Sequence, residues 1–108
     1  VTMDPALTHV DKLLRSRKLV EAERAINVFI AKEDKVADGY ILLAKLRQMQ
    51  GRFDHMMVAA TRAKALSPES VIAQFQFIEA CVHSGQISHA LSAIESLQKK
   101  HATNPKIL

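Results

Sequence analysis

Residues 37–70, ADGYILLAKLRQMQGRFDHMMVAATRAKALSPES, form the middle one of three units of equal length. In the first half of this stretch, Tyr40, Leu43 and Arg47 recur at three- and four-residue steps. That spacing places them on one face of an α-helix. We therefore predict a helix from about Ala37 to Gln50, followed by a second helix that fills the rest of the unit.

Turn residues mark the predicted helix boundaries. Gly51 is expected to end the first helix, because glycine readily adopts the positive φ that a helix C-terminus often needs. Asp54 is expected to cap the second helix. Ser67 followed by Pro68 predicts the cap and first turn of the next unit. The same signals predict a stop at Gly85 and a cap at Ser88 in the third unit, and a cap at Asp4 before Pro5 in the first.

Shifting the sequence by one unit length aligns side chains of similar size and polarity without any insertion or deletion. Leu19, Phe53 and Ile87 share one register position, and Ala25, Ala59 and Ala93 share another. The units run at about 3–36, 37–70 and 71–104 within one domain, 1–108. Residues 105–108 are expected to begin a further helix, so we expect the natural chain to continue. The predicted fold is all-α: an α–α superhelix of about six antiparallel helices in three helix–turn–helix repeats.

The period and the residue types resemble the tetratricopeptide repeat, whose pattern runs W-x₂-L-G-x₂-Y…A-x₃-F…P over about 34 residues. The second unit is the most similar, with Tyr40 at the Trp position, Leu43-Ala44 for Leu-Gly, and then Gly51, Ala63 and Pro68. The first unit is degenerate, since Arg17 replaces the turn glycine and Asp34 replaces the proline. The resemblance covers residues 3–104.

In this family the first helices of the repeats line a concave groove that binds peptides. The resemblance therefore implies a groove whose floor is an exposed apolar patch of Leu7, Ile41 and Phe75, flanked by charges of both signs. The residues that we expect to bind a partner are Leu7, Asp11, Leu14, Ile41, Lys45, Gln48, Ile72, Phe75, Glu79 and Val82, with Asp4 and Asp38 at the same spacing.

One binding mode of the family is not expected here. Co-chaperones that resemble this chain hold the C-terminal carboxylate of heat-shock chaperones with lysine, asparagine and arginine side chains. The corresponding positions are Leu7, Asp11, Leu42, Ile72 and Gln76. A carboxylate would be repelled by Asp11, so we expect that the partner is not a chaperone C-terminal carboxylate.

Charge and composition argue against several other functions. The net charge of +4 is spread out, with seven basic against six acidic residues in 3–36, five against three in 37–70, and two against two in 71–104. We therefore expect no nucleic-acid partner. There is no run of about 18 apolar residues and no signal peptide, so we expect a cytoplasmic protein with no membrane partner.

The search for chemical sites is negative. The single cysteine, Cys81, excludes an internal disulfide and falls on an inner helix face, where an inert thiol is expected. The five histidines do not have a metal-ligand spacing, and there is no glycine-rich phosphate loop. We expect no cofactor, no metal and no enzymatic activity.

The predicted function is a scaffold that binds a peptide or a partner protein in the concave groove. Two alternatives remain open. The repeats could be a regulatory or docking segment of a larger enzyme, since similar bacterial repeats often precede a transferase domain. The chain could also form a homodimer through the uncapped C-terminal end.

Overall fold

The computed structural model describes residues 4–102, with side chains to residue 99. All regular structure in this part of the chain is helical. The six helices are α1 (Pro5–Arg15), α2 (Leu19–Lys32), α3 (Ala37–Met49), α4 (Phe53–Leu66), α5 (Val71–His83) and α6 (Ile87–Ala102). The predicted all-α architecture of three helix–turn–helix repeats is confirmed. Residues 105–108, where the sequence predicts the start of a further helix, lie outside the described residues.

The repeat is visible in the backbone as well as in the sequence. The second helices begin at Leu19, Phe53 and Ile87, which are the three residues that share one register position in the sequence. In each turn between the two helices of a repeat, one residue has a left-handed backbone: Arg17 with φ 59°, Gly51 with φ 73° and Gly85 with φ 80°. Arg17 therefore adopts the conformation of the glycines that it replaces.

Several predicted caps are wrong. Asp4 does cap α1, because its Oδ1 accepts a hydrogen bond from the Ala6 N–H at 2.8 Å. Asp54, however, lies inside the first turn of α4, and Ser88 lies inside α6. The helix α4 begins one residue earlier, at Phe53, which packs against a buried cluster, and α6 begins at Ile87, which is 49% exposed.

The cap of α5 is also displaced from its predicted position. Ser67 ends α4, and the residue that caps α5 is Ser70, whose Oγ accepts from the Ala73 N–H at 3.2 Å. Pro68 lies in the turn between them rather than in the first turn of α5.

The helices pack in an order that curves the stack. Each helix packs against the next one along the chain, and in addition α1 packs on α3 and α3 packs on α5. Among the described residues, no Cα of α2 lies within 8 Å of α4, and none of α4 lies within 8 Å of α6. Because the first helices touch while the second helices are separated, α1, α3 and α5 lie on the inner, concave side.

The buried core is richest in the first two repeats. One cluster joins α1, α2 and α3 and includes Leu7, Leu14, Ile26, Phe29 and Leu46. A second cluster joins α3, α4 and α5 around Met56 and the alanines 44, 59, 60 and 80. Small residues at these positions allow the helices to approach closely. None of the described helices combines the length and the apolar character needed to cross a membrane.

Candidate functional site

The candidate site is the concave face formed by α1, α3 and α5. The structure brings the predicted polar residues of neighbouring repeats together on this face. Lys45 Nζ lies 3.7 Å from Asp11 Oδ1, and the Gln48 Nε2 donates to Glu79 Oε1 at 2.6 Å. Asp11 also pairs with Arg15 on its own helix, at 3.0 Å. Polar side chains of neighbouring repeats are therefore paired across this face.

Two predicted groove residues do not belong to this surface. Leu7 is 1% exposed and Leu14 is fully buried, so the prediction that they line an exposed groove is wrong. Both side chains lie in the cluster that also contains Leu42 and Leu46 of α3. The packing of α3 onto α1 thus closes the space that the sequence pattern assigns to a ligand.

The side chains at the repeat positions of Leu7 and Leu14 become progressively more exposed from the first repeat to the third. Ile41, the equivalent of Leu7 in the second repeat, is half-buried, and Phe75 in the third is 57% exposed. Ile72 and Val82 on the same stripe of α5 are 62% and 48% exposed. No described helix packs on α5 as α3 packs on α1. We call the stripe formed by Ile72, Phe75, Glu79 and Val82 the open α5 face.

Beside the open α5 face lies a residue that the sequence did not single out as a binding residue. Gln76 Nε2 donates a hydrogen bond to the backbone oxygen of Ile41 at 3.0 Å, while its Oε1 is buried without a partner among the described residues. Gln76, Ile72, Phe75, Ile78 and Glu79 line a shallow cavity of about 390 Å³. A buried, unsatisfied acceptor can be recognised only once the packing is known.

The electrostatics of the concave face differ from those of the whole chain. The chain carries a net charge of +4, yet α5 contains no lysine or arginine and has Glu79 as its single carboxylate. Lys45 and Arg15 both pair with Asp11, and Arg47 of α3 pairs with Glu23 of α2. Asp38 is exposed, and neither it nor Glu79 has an ion-pair partner among the described residues.

Reactive side chains elsewhere are engaged in packing. Cys81 is buried and lies 3.7 Å from the sulfur of Met57. Burial raises the pKa of the Cys81 thiol above its usual value, and the positive charge of Lys64 partly opposes this shift. His83 stacks on Phe53 with ring centroids 4.4 Å apart. Within the described residues, no group of three or more His, Cys, Asp or Glu side chains could hold a metal ion.

Comparison with known proteins identifies a fold and not a family. No protein-family model matches the sequence, and no curated protein matches it. Among solved structures, the chain is similar to the type III secretion translocator chaperone SycD of Yersinia enterocolitica, crystallised as an alternative dimer. The TM-score is 0.82 at 16% sequence identity, covering 94% of this chain and 76% of SycD.

The similarity to SycD establishes a helical-repeat fold of the tetratricopeptide type. At 16% identity it does not establish membership of the tetratricopeptide family. It also gives no support to the expectation that a chaperone carboxylate is not the partner, which stays a prediction.

Proposed function

We propose that this chain is a protein-interaction scaffold that binds a peptide or a partner protein on its concave face. The observation that carries the proposal is the exposed stripe on α5, where Ile72, Phe75 and Val82 stand in a row on the inner layer. Exposed apolar patches rimmed by polar residues mark interaction sites. Here the polar residues are Glu79 on the stripe itself and Gln48 of α3, which donates a hydrogen bond to it.

The fold comparison supports the same function. SycD, which has a similar fold, is a chaperone of secretion translocators and therefore a protein that acts on other proteins. We further propose that the three repeats act as one unit, because α1, α3 and α5 together supply the concave face.

Site-specific photo-crosslinking tests the proposal. A photoreactive amino acid is placed at Gln48 or Phe75 on the concave face, and at Val28 or Val58 on α2 and α4 as matched controls. Val28 and Val58 are 57% and 69% exposed, so they meet solvent as freely as Phe75 does. We expect discrete crosslinked protein adducts in cell extract from the concave positions only. Equal adducts from both sets, or none from either, would contradict the proposed function.

A further inference from the structure

We propose that the cleft between α3 and α4 binds a small molecule with one carboxylate and an apolar body. The cleft has a volume of about 350 Å³ and is lined by Tyr40, Leu43, Arg47, His55, Val58, Ala59 and Arg62. It lies outside the open α5 face, so it can be tested independently of the proposed function.

A cleft recurs at this position in each of the three repeats, but its lining differs. The second repeat has an aromatic ring, Tyr40, opposite an arginine, Arg62. The equivalent positions hold uncharged, non-aromatic side chains, namely Ala6 and Val28 in the first repeat and Gln74 and Ser96 in the third. The fold therefore forms the cleft without needing a ring or a guanidinium there, and the pair gives the second cleft a chemistry of its own.

Arg62 supplies the group that binds the carboxylate. Its guanidinium carbon lies 5.7 Å from the centre of the Tyr40 ring, within the range of a cation–π contact. Arg62 has no ion-pair partner among the described residues, and no described Asp or Glu lines the cleft. The contact with Tyr40 orients the guanidinium and leaves its N–H groups available, and their planar fork matches a carboxylate.

The second arginine of the cleft, Arg47, is already engaged. It pairs with Glu23 of α2 and also donates a hydrogen bond to Gln50 Oε1 at 2.9 Å. Its charge is therefore balanced, and it forms a fixed part of the wall. Within the described lining, Arg62 remains as the permanently charged side chain without an anionic partner, which favours a ligand with a single negative charge.

The dimensions of the cleft suit a small molecule. Because α3 and α4 are antiparallel and Tyr40 lies beside Arg62, Arg47 and His55 lie at the opposite end, two helical turns or about 10 Å away. The lining between the two ends is apolar and consists of Leu43, Val58 and Ala59. A volume of about 350 Å³ falls within the range of small-molecule sites.

Tyrosine fluorescence provides the test, because Tyr40 is the single tyrosine of the chain and there is no tryptophan. The probes are cyclohexanecarboxylate and its neutral analogue cyclohexylmethanol, neither of which absorbs where tyrosine is excited. We expect a saturable change in Tyr40 emission with the carboxylate and at least tenfold weaker binding of the alcohol. The preference should weaken at high salt, because exposed charges are screened.

Single variants separate the charged and the apolar contributions. We expect Arg62→Gln to remove the preference for the carboxylate, and Arg52→Gln, which removes the same charge at an exposed residue just before α4, to leave it unchanged. Val58→Ser should weaken binding of both probes, whereas Val20→Ser, at a similarly exposed valine on α2, should not. Because all four residues are exposed, the variants are expected to fold, which circular dichroism verifies.

Several outcomes would overturn the inference. These are no saturable change with the carboxylate, equal affinity for the two probes, or equal losses in Arg62→Gln and Arg52→Gln. A protein adduct crosslinked from Val58 would assign the cleft to a segment of another protein instead of a small molecule. Crosslinking from Gln48 and Phe75 tests the proposed function separately, so either result can fail while the other stands.

Discussion

Gln76 lies between α3 and α5, and only one end of its side-chain amide forms a hydrogen bond. Its Nε2 donates to the Ile41 backbone oxygen at 3.0 Å, while its Oε1 is buried without a partner among the described residues. The same register position holds the buried Leu42 in the second repeat. An unsatisfied buried acceptor costs about 1–3 kcal/mol, which exceeds the roughly 1 kcal/mol that one neutral hydrogen bond contributes.

We therefore expect Gln76→Leu to raise the free energy of unfolding by about 1 kcal/mol. Urea denaturation followed by circular dichroism measures the change. Gln76→Glu is the matched control and should be strongly destabilising, because it buries a charge in the same space. A loss of stability in Gln76→Leu would mean that the hydrogen bond to Ile41 outweighs the unsatisfied oxygen.

Cys81 gives the chain a pH-dependent stability. Burial raises the pKa of this thiol in the folded state, so the folded chain favours the protonated form more than the unfolded chain does. The associated stability is fully present below the unfolded pKa of about 8.5 and is lost as the pH rises through the folded pKa. We expect the urea midpoint of the wild type to fall more steeply than that of Cys81→Ala as the pH rises above about 8.5. Parallel curves for the two proteins would exclude this contribution.

At the scale of the helices, the turn at residue 17 is the most strained of the three. Arg17 has a φ of 59° at the position where the other repeats have Gly51 and Gly85. A side chain in this left-handed region costs about 1–2 kcal/mol, and glycine removes that cost while adding some entropy to the unfolded chain. The first repeat therefore keeps the turn without the residue that suits it best.

We expect Arg17→Gly to raise the free energy of unfolding by about 0.5–1 kcal/mol. Ser16→Gly, one residue earlier at a φ of −85°, is the matched control and should be neutral or destabilising. Thermal unfolding monitored by circular dichroism distinguishes the two. A stabilisation of the same size in both variants would point to an effect other than backbone strain.

Helix positions could be predicted from the sequence more reliably than their caps. The repeat pattern predicted the glycine turns correctly, because a positive φ favours glycine and glycine is visible in the sequence. Asp54 and Ser88 were expected as caps, but the helices begin before them at Phe53 and Ile87. At α4, packing of Phe53 against a buried cluster accompanies the earlier start, and such packing cannot be read from local sequence, whereas Ile87 at the start of α6 is 49% exposed.

In the molecule as a whole, stability is distributed unevenly along the array. Large, fully buried side chains concentrate in the first two repeats, among them Leu7, Leu14, Ile26, Leu46 and Met56. In α5 and α6 the buried described residues are Ala73, Ala80, Cys81 and Ala90. In a repeat array each unit is stabilised mainly by itself and its neighbours, so the third repeat should open most readily.

Amide hydrogen exchange can detect this gradient. We expect amides of α6 to exchange at least tenfold faster than those in the middle of α3. The reason is that α3 packs against α1, α2, α4 and α5, whereas α6 packs against α5 alone within the described part of the chain. Uniform protection from α1 to α6 would show that the chain unfolds as a single cooperative unit.

The candidate site was only partly predictable for the same reason. Leu7 and Phe75 occupy equivalent positions in the pattern, and the sequence treats them alike. Their exposures of 1% and 57% depend on whether another helix packs over them, which is a property of the array and not of either residue. The register thus predicted which residues share a helix face, and the packing decided which of them meet solvent.

The separation of the second helices has a mechanical consequence. The first helices touch in series from α1 through α3 to α5, while gaps separate α2 from α4 and α4 from α6, the latter gap holding a cavity of about 430 Å³. We therefore expect changes in curvature to open or close the gaps on the outer side while the contacts between the first helices persist. Such bending would let the concave face adjust to partners of different width.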